Sequence, residues 1–193
     1  MKVVAILQNE KDIINLIQND REMMTILRTA KTLNLPDWWI CAGFVRSKIW
    51  DTLHAFTAKT NPTDIDVIYF DKDNTDEVTE KNYEAVLKEL LPNVPWSVKN
   101  EARMHLVNDI PPYMSSEDAI SKFPETATAL GVKLDTKDNV ILTAPCGIVD
   151  VLNLEVKPTA YFKETAKRAQ FYEKRIKQKN WQSIWPKLKI HHI

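Results

Sequence analysis

Three glycines in 193 residues, Gly43, Gly131 and Gly147, set tight limits on what this chain can build. Average usage of about 7% would give roughly thirteen. A Walker phosphate loop and a Rossmann fingerprint each need several glycines within a few residues, so both are excluded. Where glycine is this scarce, each one is expected to mark a position whose backbone requires it. Gly43 stands between an apolar run, Trp38-Trp39-Ile40-Cys41-Ala42, and a helical pattern in which Val45, Ile49, Leu53 and Phe56 share one face. The expected unit is a short strand, a tight turn at Gly43, and a helix whose free N–H groups and positive dipole end point above the strand tip. Arg46, one turn in, is spaced for a bidentate phosphate contact.

The second mark follows about twenty residues later. In Pro62-Thr63-Asp64-Ile65-Asp66-Val67-Ile68-Tyr69-Phe70, Ile65, Val67 and Tyr69 are strand formers at period two, so Asp64 and Asp66 emerge together on the opposite face. Their Cα atoms are expected about 6.6 Å apart. Two carboxylates whose oxygens approach to about 4 Å repel by up to ~4 kcal/mol at an effective dielectric near 20. A divalent cation turns that repulsion into a binding site, and Mg²⁺ in particular favours one or two carboxylates with phosphate oxygens completing its shell.

Together, Ala42-Gly43-Phe44-Val45-Arg46 and Asp64-Ile65-Asp66 resemble the polymerase-β-type nucleotidyltransferase superfamily, which includes the head domains of tRNA CCA-adding enzymes. More narrowly, the chain is similar to a bacterial family of uncharacterised nucleotidyltransferase-like proteins of comparable length. Residues 96–105, 123–132 and 144–152 carry that likeness further along the chain. The resemblance implies an α/β (α+β) fold with a small mixed sheet, helices packed mainly on one face and a helical C-terminus. It implies Asp64 and Asp66 as catalytic metal ligands for Mg²⁺ or Mn²⁺, and Gly43, Phe44 and Arg46 as nucleotide-binding residues. The partner is then a nucleoside triphosphate, whose nucleoside monophosphate passes to an acceptor that is a small molecule, an RNA or a protein. Many superfamily members add a third carboxylate on a neighbouring strand; here Trp96-Ser97-Val98-Lys99-Asn100 ends in Asn100, with Glu101 one residue later on the other face. Glu101 re-aimed by a bulge, Asp150 in its place, or a catalytically silent nucleotide- or partner-binding protein are the alternatives. Residues 123–150 resemble the segment that closes the catalytic head in CCA-adding enzymes, but the Arg and Asp that lead that segment are absent here, where Lys122-Phe123-Pro124 stand.

Composition narrows the rest. One domain over 1–193 is expected, with a helical N-terminal segment 10–35, a core 38–156 and a basic C-terminus 157–193. No run approaches eighteen apolar residues and Met1–Leu7 is too short for a secretory signal, so no membrane span and a cytoplasmic location are expected. Cys41 and Cys146 have no zinc spacing and read as reduced buried thiols. Net charge is zero, yet residues 157–190 carry +8 and the remainder −8. That division fits either a nucleic-acid footprint or two surfaces that neutralise each other.

The remaining elements read as follows. Residues 10–34 read as one broken helix or two consecutive helices, with Asn19 or Asp20 offering a new cap and Pro36 the stop. A helix capped by Thr75 or Asp76 carries Val78, Tyr83, Val86, Leu87 and Leu90 inward. Arg103 and His105 read as a hydrogen-bonded pair. Strands at 126–134 and 139–144 form a hairpin. A long helix over 159–178 turns Phe162, Ala166, Ala169, Tyr172 and Ile176 inward, with Trp181 and Trp185 docking back on the core. Trp50 and His54, on the flank of the Gly43 helix, read more readily as packing groups than as a nucleotide face.

Overall fold

The structure is a computed structural model, described for residues 7–108 and 110–193; the secretory-signal reading of Met1–Leu7 falls mainly outside these residues. A five-stranded mixed sheet runs in the order β3-β2-β1-β4-β5, made of β1 (Trp39–Cys41), β2 (Ile65–Tyr69), β3 (Trp96–Asn100), β4 (Gly131–Leu134) and β5 (Val140–Thr143). Within this sheet the β2–β3 pair is parallel, with Asp66 opposite Ser97, and the other pairs are antiparallel. Alternation along β2 sends Ile65, Val67 and Tyr69 into the main core, while Ile68 joins Trp39 and Cys41 in a smaller cluster on the other face with Ile120 and Ala129.

Helices gather on the main face. α1 (Glu10–Gln18) has a capping box from Asn9 and Asp12, and α2 (Arg21–Lys31) starts from the Asp20 side chain, which accepts from the Glu22 and Met23 N–H groups. α3 (Gly43–Leu53) buries Val45 and Ile49 as the periodicity requires, but ends before Phe56, which is 41% exposed. In α4 (Glu77–Leu90) the apolar stripe misleads. Leu87 is buried, whereas Val78, Val86 and Leu90 face solvent, and the fully buried partner of Leu87 on this helix is Glu80. Glu80 is tolerated there because it is saturated: Arg103 meets it twice, at 2.9 and 2.8 Å, and the Asn100 N–H donates to it at 3.1 Å. Arg103 therefore pairs with Glu80 and not with His105, whose Nδ1 lies 2.9 Å from the Ala102 carbonyl.

The second half departs from expectation in two further places. The hairpin begins at Gly131, since residues 125–128 make hydrogen-bonded turns instead of a strand. After the short helices α6 (Ser116–Ser121) and α7 (Val149–Leu152), the expected long helix is broken at Glu164–Thr165 into α8 (Ala160–Lys163) and α9 (Ala166–Lys179), where Thr165 caps α9 through the Arg168 N–H. Tyr172 and Ile176 are buried as expected, but Ala166 is exposed. The chain end then returns to the core. β7 (Lys189–Ile190) pairs with β6 (Glu155–Val156), and Trp181 and Trp185 lie edge-on to Trp50 at 5.6 and 5.1 Å between ring centroids. Trp185 Nε1 donates to Asp51 at 2.8 Å, and the Lys187 N–H donates to His54 Nε2 at 3.1 Å. Trp50 and His54 are thus packing groups that bind the C-terminal segment to α3. Among the described residues no helix is long and apolar enough to cross a membrane.

Candidate active site

The junction of β1 and α3 holds a backbone feature that glycine counting misplaces. Ala42, not Gly43, carries the unusual conformation, with φ 52° and ψ −114°. That geometry is sparsely populated for a residue with a Cβ and stores on the order of 1–3 kcal/mol. It is held by a hydrogen bond from the Ala42 N–H to the Leu130 carbonyl at 3.1 Å and by the Arg46 N–H donating to the Ala42 carbonyl at 2.9 Å. Ala42 supplies no capping side chain, so the amides of Gly43, Phe44 and Val45 open the helix with its positive end uncapped by a side chain. A Cβ on Gly43 would meet one atom within 4 Å, an Arg46 nitrogen at 3.6 Å, which leaves the space over the helix start clear. The Phe44 ring is buried in the main core, so only its backbone faces a ligand.

Asp64 sits exposed one residue ahead of β2, and Asp66 is half-buried on the strand, hydrogen-bonded by Ser97. Burial, and then the charge of Asp64, push the Asp66 carboxyl up to about 6, against the opposing pull of Ser97, Lys179 and Arg175. β3 ends at Asn100 and α5 (Glu101–Asn108) begins at once, so Glu101 is the buried first residue of a helix, within reach of the Asp66 charge. Burial first, then Asp66 and Glu80, push its carboxyl up to about 8. Asn100 is a bracket: its Nδ2 donates to the Asp71 and Asn74 carbonyls at 2.7 and 2.8 Å, and its Oδ1 accepts from the Asp71 and Ala102 N–H groups. Asp150 stands in a separate cluster, where Thr126 and Lys157 each donate to it at 2.8 Å; those bonds outweigh burial and hold its carboxyl below the ordinary value.

The floor between the acids is apolar and tightly fitted. Cys41, opposite Gly131 in the β1–β4 register, is buried, and burial followed by Asp66 and Glu101 pushes its thiol well up, keeping it neutral. A Cβ on Gly131 would stand 2.9 Å from Cys41 Sγ, which explains that glycine by close approach. Among the described residues no group of three or more His, Cys, Asp or Glu is close enough to form a preassembled metal cage.

Arg46 lies behind this site. It is 8% exposed, with its guanidinium carbon 4.5 Å from the Trp181 ring centroid and 5.0 Å from that of Trp50. Burial lowers its pKa to about 10, while Glu125, Asp64 and Asp66 work to raise it; it remains a cation at neutral pH, and its Nε has no hydrogen-bond partner. Placed so, it reaches the acids as a field and not as the open phosphate fork that the spacing suggested. Two cations absent from the sequence reading of the site, Arg175 and Lys179 on α9, also act on Asp66. Arg175 is aimed by buried Glu125, which accepts its Nε–H at 2.6 Å. Arg175 follows from its place between buried Tyr172 and Ile176, but Glu125 carries no periodic signal.

The sequence model of a family described as nucleotidyltransferase matches residues 28–190. The chain belongs to that family. A role in nucleotidyl transfer, and the standing of an enzyme, follow for this nucleotidyltransferase from its membership. A solved NMR structure, described as revealing a CCA-adding enzyme head domain, is 35% identical over 99% of this chain and 100% of its own, with a TM-score of 0.88. CCA-adding enzymes solved with CTP and with ATP share the fold at 14% identity, with TM-scores of 0.54 and 0.50. The nucleotidyltransferase spans less than half of those two chains, 44% and 42%. Among proteins with curated descriptions none matches it.

Proposed function

We propose that this nucleotidyltransferase moves a nucleoside monophosphate from a nucleoside triphosphate to a hydroxyl or amine acceptor, with Asp64 and Asp66 holding a divalent cation, Mg²⁺ or Mn²⁺. The observation that carries the reading is the pair Asp64 and Asp66, the charge of the first adding to the effect of burial on the second, beside a helix start left open at Gly43. All-oxygen donors that burden one another in this way fit a hard cation. Two carboxylates do not fill such a shell, so phosphate oxygens of the substrate are needed to complete it, as Mg²⁺ sites commonly require. When bound, the cation would neutralise charge at the α-phosphorus.

The chain's own residues would do the rest. The amides of Gly43, Phe44 and Val45 bind phosphate oxygens at the positive end of α3. Arg46, Arg175 and Lys179 bias the same space towards a polyanion. Ser97 orients the Asp66 carboxylate. The test is isothermal titration with each nucleoside triphosphate, with and without Mg²⁺, comparing the wild type with Asp64→Ala, a change at an exposed position. Mg²⁺-dependent binding lost in the variant supports the reading, and no binding at millimolar triphosphate overturns it. Binding without any release of pyrophosphate across acceptors would instead favour the silent nucleotide-binding protein.

A further inference from the structure

Glu80 and Glu125 are both fully buried, and each is paired with an arginine. The two pairs differ in geometry. Arg103 meets Glu80 with Nε and Nη2, at 2.9 and 2.8 Å, so one edge of its guanidinium is taken up by the acid. Arg175 meets Glu125 through Nε alone, at 2.6 Å, and among the described residues neither of its terminal nitrogens makes a hydrogen bond. A pair that served stability alone gains most from the two-pronged form that Arg103 adopts. In Arg175 the outer edge of the guanidinium is left over, on a side chain that is still 28% exposed.

Glu125 holds this arrangement in place. Its second carboxylate oxygen accepts from the Thr128 hydroxyl at 2.8 Å, and its carbonyl accepts from the Thr128 and Ala129 N–H groups at 3.0 and 3.1 Å. The turn runs straight into Leu130, whose carbonyl accepts the Ala42 N–H at the foot of α3. The acid is therefore saturated, and its backbone is joined to the open helix start.

Arg175 is joined to the same place by its side chain. Its guanidinium carbon lies 6.0 Å from the Trp181 ring centroid, and that of Arg46 lies 4.5 Å from the same centroid. Arg46 Nη2 in turn lies 3.6 Å from where a Cβ on Gly43 would stand. Two guanidinium groups around one indole repel each other, and Arg175 also pulls on Asp66. The free edge of a guanidinium fits two oxygens of one phosphate group, and an anion with several such groups satisfies more than one cation at once.

We infer that Glu125 is a positioning residue: by holding Arg175 through Nε it leaves the outer edge of that guanidinium to contact the phosphates beyond the α-phosphorus of the bound triphosphate. The nucleoside on that ligand rests on the transferase reading; the grip on a polyphosphate does not.

The test is isothermal titration of the full chain with inorganic tripolyphosphate, without Mg²⁺. The expected result is binding that weakens roughly tenfold in Arg175→Lys, which keeps the charge and loses the fork. Glu125→Gln should weaken it as well, although removal of a negative charge would by itself tighten a polyanion, so the sign of the change separates positioning from a general field. Arg175→Lys, at a partly exposed position, decides alone if Glu125→Gln does not fold. Asp64→Ala should bind tripolyphosphate at least as well as the wild type while losing Mg²⁺-dependent triphosphate binding, so that failure of the metal site and failure of the grip are read separately. Displacement of tripolyphosphate by a nucleoside triphosphate with Mg²⁺ supports the assignment, and no displacement overturns it in favour of free polyphosphate. No binding at millimolar tripolyphosphate, unchanged affinity in Arg175→Lys, or tighter binding in Glu125→Gln would also overturn the inference.

Discussion

Removing the charge of Asp66 should stabilise the protein, and by an amount that depends on pH. Its carboxyl stands at about 6 against an ordinary 3.8. Between those values the folded chain holds a proton that the unfolded chain has released, so stability falls as pH rises through the window and the loss is complete above about 6. At 1.36 kcal/mol per unit the cost approaches about 3 kcal/mol, an upper bound because Asp66 is only half-buried and solvent screens part of it. Glu101, raised from 4.5 to about 8 by burial and then by Asp66, extends the decline towards pH 8, and because part of its rise comes from the Asp66 charge the two costs do not add. Asp20, Glu84 and Asp150 work in the opposite sense, with carboxyls held low, and lose stability only on the acid side. The difference between wild type and Asp66→Asn removes their contribution. Urea unfolding of both proteins from about pH 4 to about pH 8 should show the variant gaining up to about 3 kcal/mol on the wild type as pH rises. Millimolar Mg²⁺ should return part of that stability to the wild type alone. A constant difference across the range, or a less stable variant above neutrality, would refute the argument that burial and the neighbouring Asp64 make the Asp66 charge costly in the fold.

Ala42→Gly should raise stability by about 1 kcal/mol in the same assay, because relief of the strained φ exceeds the added freedom of the unfolded chain. Gly131→Ala should cost about 1–3 kcal/mol by forcing a Cβ against Cys41 Sγ, and much less in a Cys41→Ala background, as a double-mutant cycle would report. Trp185→Ala, which removes a buried ring from Trp50 and the hydrogen bond to Asp51, should cost about 3–5 kcal/mol by denaturant midpoint.

What was legible in the sequence was what periodicity and local chemistry encode. The strand–turn–helix at residues 39–53, the Asp strand beside β3, and the Asp20 and Asp76 caps follow from short windows and are present as expected. Long-range compensation was not legible. Glu80 can be buried only because Arg103 and the Asn100 N–H reach it from elsewhere in the chain, and no stripe on α4 announces that. Glu101 reads as a residue of the other face while β3 is assumed to continue; in the fold a helix begins at that residue and buries it. Arg46 carries a family-like position, but its exposure is set by two tryptophans more than 130 residues later. Rarity of glycine was informative about position and not about cause, since Gly131 answers to the Cys41 sulfur and the positive φ beside Gly43 belongs to Ala42.

The central claim, that Asp64 and Asp66 hold the divalent cation at the foot of α3, is tested most directly by NMR of the ¹⁵N-labelled protein titrated with Mn²⁺. The account predicts that amides of the Asp64–Val67 stretch, with Ala42, Gly43 and Glu101, broaden first, that nucleoside triphosphate sharpens this localisation, and that Asp64→Ala with Asp66→Ala abolishes it. Broadening centred elsewhere, or unchanged in the double variant, would contradict it.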